Sequence, residues 1–256
     1  MVAGWPRLVP MRRHWKIISA LTLAIMVALA GVGLLWLSAL ADPMPETEAA
    51  VTSDESVTVE TEPWLTFTPS EPASTGFIFY PGGRVPAQAY APPIRAVAEA
   101  GYLAVIPSMP FGLAVLAPDT ADDIIEAYPE IDRWVIGGHS LGGAMAADYA
   151  AGHEAIDGLA LWAAYPPDGT DLSEQAIEVT SVYATEDGLS TIDEIEASRV
   201  QLPPTTMFVE ISGGNHAGFG WYGPQDGDGD ATISREEQQA LVVEATLDLL
   251  ETVEDL

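Results

Sequence analysis

The chain has 256 residues, no cysteine, and 38 acidic residues against nine lysines and arginines, for a formal net charge of −29. No disulfide, thiolate metal site or cysteine nucleophile is therefore available. Every acid lies beyond residue 41, where five arginines and no lysine oppose them; so acidic a body repels nucleic acid, anionic lipid and polyanionic substrates.

The N-terminus has the opposite character. Residues 1–16 hold Arg7, Arg12, Arg13 and Lys16 with no acid, and read as a cytoplasmic tail. Residues 17–41 (IISALTLAIMVALAGVGLLWLSALA) are uncharged and apolar, long enough to cross a bilayer as a tilted helix. Basic residues before the run and acids after it place the remainder of the chain outside the cell. Ala39-Leu40-Ala41 also suits signal-peptide cleavage, which would make the protein secreted rather than anchored by a single transmembrane helix in the cell membrane. Residues 42–56 are rich in Pro, Glu, Ser and Thr without apolar periodicity, and read as a flexible acidic linker.

From residue 57 onward short apolar runs alternate with amphipathic stretches. Strands are predicted over 57–62, 64–69, 76–80, 102–107, 134–137, 158–163, 179–184 and 206–211. Helices are predicted over 87–100, 120–128 (with Asp119 or Thr120 as cap), 141–151, 191–200 and 234–253. This alternation predicts one α/β domain over 57–256, a mostly parallel sheet with helices on both faces. About fifteen residues separate strands 158–163 and 179–184, too few for a helical lid.

Gly138-His139-Ser140-Leu141-Gly142 is G-x-S-x-G, lying between a predicted strand and a predicted helix. A sharp turn there projects a serine hydroxyl from the sheet edge, with the Leu141 N–H placed to hold an oxyanion. The serine needs a base, and the chain has four histidines. His14 precedes the apolar run, the backbone turns His139 away from the hydroxyl, and His153 closes the following helix. His216, in GGNHAG after the last strand, remains. The acid that orients it is expected at Asp187, just past strand 179–184, with Glu186 the nearest rival and Asp168 and Asp171 further removed. Pro81-Gly82-Gly83-Arg84 supplies the second oxyanion donor, from Gly83 or from Arg84.

With YPGGR, GGHSLGG, ATEDG and GGNHAGFG in this order, residues 64–253 resemble the α/β-hydrolase family, and in particular its small lidless members similar to dienelactone hydrolases and cutinases. The resemblance implies hydrolysis of an ester or related acyl bond through an acyl-enzyme, with Ser140, Asp187 and His216 as triad and no cofactor required. Dienelactone hydrolases usually carry a cysteine nucleophile, so the serine leans towards an esterase. The apolar loop 109–117 and Phe219–Tyr222 favour an uncharged small-molecule acyl substrate. A non-catalytic surface protein that reuses the fold for binding is the competing reading.

A second pattern follows the histidine. Asp226, Asp228, Asp230, Thr232, Ser234 and Glu237 fall where an EF-hand loop places oxygen ligands, which makes calcium a candidate cofactor. Ala231 replaces the expected glycine and no helix precedes the loop. Ser234 and Glu237 also read as a capping box for the last helix.

Overall fold

The strands owe their position to residues such as Phe77, Phe79, Ile78 and Tyr80, which alternate in direction and are all fully buried. Period-2 alternation with apolar groups on both sides is what a sheet covered on both faces requires. A computed structural model describes residues 40–256 and gives eight strands: β1 (Val57–Glu60), β2 (Leu65–Pro69), β3 (Thr75–Tyr80), β4 (Leu103–Ile106), β5 (Arg133–His139), β6 (Gly158–Trp162), β7 (Glu178–Ala184) and β8 (Met207–Ile211). Their order in the sheet is β1-β2-β4-β3-β5-β6-β7-β8, with β2 antiparallel to β1 and β4 and the remaining pairs parallel.

The helices are α1 (Thr47–Ala50), α2 (Ala91–Glu99), α3 (Thr120–Ala127), α4 (Leu141–Gly152), α5 (Ile192–Ser198) and α6 (Arg235–Glu254). On one face, α2 and α6 bury Ile94, Val97, Val242 and Leu250 against Phe77, Phe79 and Trp162. On the other, α3 and α4 bury Ile124, Ala146 and Ala150 against Ile78, Ile136 and Leu161. The small residues of α4 let that helix lie close on the strands. The α/β architecture is as predicted, and no helix lies between β6 and β7. The expected side-chain cap of α3 does not form: Asp119 makes no capping bond, and the Thr120 hydroxyl donates to the Ala117 carbonyl at 2.9 Å.

The expected tail (1–16) and the apolar segment up to residue 39 lie outside the described residues. No helix among the described residues is long and apolar enough to cross a membrane.

Residues 42–56 differ from the flexible spacer expected of them. Pro43 pairs with Tyr222, and the Met44 N–H donates to the Trp221 carbonyl at 2.9 Å. Thr47 and Ala50 of α1 are buried. Arg95 on α2 then holds the segment. Its Nη1 donates to the carbonyls of Ala50 and Thr52 at 3.2 and 2.7 Å, and its Nη2 to Asp54 at 2.5 Å. Composition missed this because the contacts are single residues tied to a distant arginine rather than a periodic apolar face. Arg95→Met is expected to lower unfolding stability by about 1–2 kcal/mol, since it removes the donor that the Ala50 and Thr52 carbonyls share. Urea titration checks the loss, and limited proteolysis should newly cut between residues 42 and 56.

Candidate active site

The sequence turns sharply between β5 and α4. Ser140 sits at that turn with φ 53° and ψ −123°, a left-handed backbone that disfavours any side chain and is held only by its surroundings. Gly142 makes the turn feasible: a Cβ there would lie 2.1 Å from the Tyr80 carbonyl oxygen. The Ser140 N–H donates to the Trp162 carbonyl at 3.0 Å, which fixes the turn on β6. Leu141 opens α4, so its N–H is one of the first-turn donors that a helix leaves without an internal acceptor.

His216 follows β8 and Asp187 follows β7, on the same carboxyl edge of the sheet as the β5 turn. The Asp187 side chain is fully buried, and that of His216 is 1 % exposed. His216 Nδ1 lies 2.8 Å from Asp187 Oδ2. Asp187 Oδ1 accepts the N–H groups of Leu189 and Ser190 at 2.8 and 2.7 Å. A carboxylate so engaged is an acceptor only, so the imidazole proton belongs on Nδ1 and a lone pair is left on Nε2. That Nε2 is buried and has no hydrogen-bond partner among the described residues, Ser140 included. Glu186, the rival acid, is exposed and takes only the Thr185 hydroxyl at 3.1 Å. Asp171 caps its own loop through Ser173 at 2.9 Å.

The two expected oxyanion donors are neighbours. A Cβ on Gly83 would lie 3.3 Å from Leu141 Cδ2. The flanking amides are engaged elsewhere: the Gly82 N–H donates to the Tyr90 hydroxyl at 3.1 Å, and the Arg84 N–H to the Gly112 carbonyl at 2.6 Å. Of the two alternatives left by the sequence, the Arg84 amide is thus engaged, while that of Gly83 has no backbone acceptor among the described residues. Arg84 takes φ 62° to make its bond, and this holds the loop against Pro110–Gly112.

His139 has a place that sequence reasoning did not find. Its ring lies 4.4 Å from that of His216 and stacks on Phe219 at 5.5 Å. The Tyr90 hydroxyl, which burial holds well above its ordinary pKa and so protonated, lies 2.8 Å from His139 Nδ1. Tyr90 thereby links the Gly82–Gly83 loop to the ring that packs on His216. Burial, and secondarily the nearby His216, push the His139 pKa well below 6.5. His139 thus stays neutral and adds no positive charge beside His216.

The calcium pattern does not assemble. Among the described residues no group of three or more acidic, histidine or cysteine side chains is placed to hold a metal ion. Asp226, Asp230, Thr232 and Glu237 are exposed, and the Asp228 carboxylate is taken by backbone N–H groups. The physical reason is direction: spacing puts oxygens at alternate positions, but without a preceding helix the loop does not turn them onto one centre. Ser234 caps α6 by accepting the Glu237 N–H at 3.1 Å.

A sequence model of the alpha/beta hydrolase family matches residues 76–240, which include Gly83, Ser140, Asp187 and His216. No curated protein matches the chain.

Neutral His139 has a measurable consequence. Below about pH 6.5 the unfolded chain takes up a proton that the folded chain refuses, so stability falls as pH falls. In His139→Gln this contribution is absent. The stability gap between wild type and variant is expected to narrow by about 1.4 kcal/mol per pH unit below pH 6.5. Chemical denaturation at pH 7.5, 6 and 5 reads this directly; a gap constant across that range would contradict a buried neutral His139.

Proposed function

The chain belongs to the alpha/beta hydrolase family, and from that premise we propose that it is a serine esterase acting through an acyl-enzyme. One observation carries the reading. A buried histidine, held by its Nδ1 on a buried carboxylate, leaves Nε2 without a partner, and its ring packs on the residue preceding the turn serine. A general base needs an imidazole oriented by a carboxylate through one nitrogen with the lone pair of the other kept free, and of the two buried histidines only His216 is held on a carboxylate.

The reaction follows from these groups. Substrate enters beside Ser140, and Nε2 of His216 accepts the hydroxyl proton as Oγ bonds to the carbonyl carbon. The carbonyl oxygen gains the negative charge and lies against the N–H groups of Gly83 and Leu141. His216 is now an imidazolium, stabilised by Asp187 through Nδ1, while His139 remains neutral beside it. Collapse of the tetrahedral species expels the alcohol, which takes the Nε2 proton. Water then repeats the cycle on the acyl-serine and releases the acid. No step calls for a metal or cofactor.

The surroundings bear on substrate class. The loop that Arg84 clamps presents Phe111, Val115 and Leu116 to solvent at 47, 51 and 54 % exposure. Apolar side chains beside the oxyanion donors suit an uncharged acyl chain, and the acidic body disfavours anionic esters. The apolar segment 17–41 is the basis for proposing that the domain acts outside the cell, at the membrane or released from it.

Hydrolysis of p-nitrophenyl esters by the full chain tests the assignment. Ser140→Ala is expected to reduce kcat by roughly 10⁶-fold, and Asp187→Asn by roughly 10⁴-fold with KM little changed. Gly83→Pro, which removes one oxyanion donor, should cost about 10²–10³-fold in kcat. Wild type without turnover on short- and medium-chain esters, or Ser140→Ala as active as wild type, would sink the esterase reading.

A further inference from the structure

The Asp226-Gly-Asp228-Gly-Asp230 run, whose sequence resembles a calcium loop, lies between the loops that carry Asp187 and His216. Of its three acids only Asp228 turns inward; Asp226 and Asp230 are exposed. Asp228 Oδ1 accepts the His216 N–H at 3.0 Å and the Gly229 N–H at 2.9 Å, and Oδ2 accepts the Ala217 N–H at 2.8 Å. The Gly188 N–H, next to Asp187, approaches Oδ1 at 3.4 Å. One carboxylate therefore faces amides of both loops, and charge-assisted bonds of this kind are about twice as strong as neutral ones.

The glycines of the run let it sit this close. A Cβ on Gly229 would fall 2.1 Å from the Glu186 carbonyl oxygen, and one on Gly188 would fall 2.3 Å from that of Gly227. On the histidine side, Asn215 Nδ2 donates to the Gly229 carbonyl at 2.7 Å. Gln238 at the start of α6 brackets Asn215, accepting its N–H at 3.0 Å and donating to its carbonyl at 2.7 Å.

We propose that this run is a metal-independent splint that sets the Asp187–His216 register, with Asp228 as a positioning residue for the base. The inference rests on the reading of Asp187 and His216 as acid and base. It accounts for an acid flanked by two glycines at 227–229. The acid at 228 gathers amides from two loops, and the glycines at 227 and 229 remove the side chains that would hold those loops apart. A calcium site would instead need the three acids to share one centre, and they do not.

The test compares full-length wild type with Asp228→Ala, Asp228→Asn, and an Asp226→Asn/Asp230→Asn double variant, each with calcium and with EDTA. Ester kinetics, melting temperature and the low-field proton NMR signal of the His216 Nδ1–H are read for each. A misplacement of about 1 Å can cost 10²-fold, so Asp228→Ala is expected to lose about 100-fold in kcat with KM nearly unchanged. Its low-field signal should vanish or broaden. Asp228→Asn keeps one acceptor oxygen and should fall between. The double variant and the EDTA-treated wild type should match untreated wild type. If Asp228→Ala fails to fold, Gly229→Ala, which keeps the carboxylate but presses on Glu186, should move kcat and the signal in the same direction. The proposal is overturned if the Asp228 variants keep wild-type kcat and signal, or if the double variant fails alongside them and calcium restores activity. A wild type that shows the signal and loses it in Asp228→Ala, yet hydrolyses no ester, would defeat the esterase reading and leave the splint standing.

Discussion

The bond between Asp187 and His216 is the constraint around which the site is arranged. Two loops from adjacent parallel strands must meet so that a carboxylate with no solvent contact finds an imidazole nitrogen 2.8 Å away. Burying that carboxylate is tolerable only because amides and the imidazole satisfy both oxygens. Its cost is offset by what the bond fixes: one tautomer, one ring orientation, and a lone pair on Nε2 with no other use. The neutral state of His139 follows from the same burial and leaves the neighbouring ring free to carry charge alone.

Sheet topology delivers the remaining groups. The loops after β3, β5, β7 and β8 leave the carboxyl ends of parallel strands and therefore emerge on one edge. β5 brings Ser140 and Leu141, β3 brings Gly83, and β7 and β8 bring the acid and the base. Tyr90 joins two of these loops by meeting Gly82 and His139 with one hydroxyl. A helical cover is absent between β6 and β7 among the described residues, and apolar side chains of the 110–116 turns stand at the edge instead.

Much of this was legible from local pattern. The strand and helix positions followed from apolar periodicity, and the placement of Ser140 and His216 from a turn motif and from elimination among four histidines. Asp187 was favoured over Glu186 only by its place just past a strand end; the structure separates them, with Asp187 buried on His216 and Glu186 exposed. What escaped was long-range. Nothing near Arg84 announces that its amide goes to Gly112, nor that Arg95 reaches back to Thr52. His139 could be seen to turn from the serine, but its contact with His216 depends on two strands that are distant in sequence. The Asp226–Asp230 run was visible, but its side chains do not converge among the described residues, because spacing encodes which residues carry oxygen and not where the loop aims them. Residues 43–54 belong to the folded body for a similar reason, so a fragment beginning at residue 57 would lack part of it.

The proposed chemistry depends on Ser140 as a nucleophile activated by His216. Treating the full chain with a fluorophosphonate and locating the adduct by peptide mass spectrometry tests it most directly. Activation of Ser140 by His216 predicts a single phosphonylated residue, Ser140, with labelling abolished in His216→Ala although the serine is still present. An unlabelled wild type, an adduct on another residue, or equal labelling of wild type and His216→Ala would contradict it.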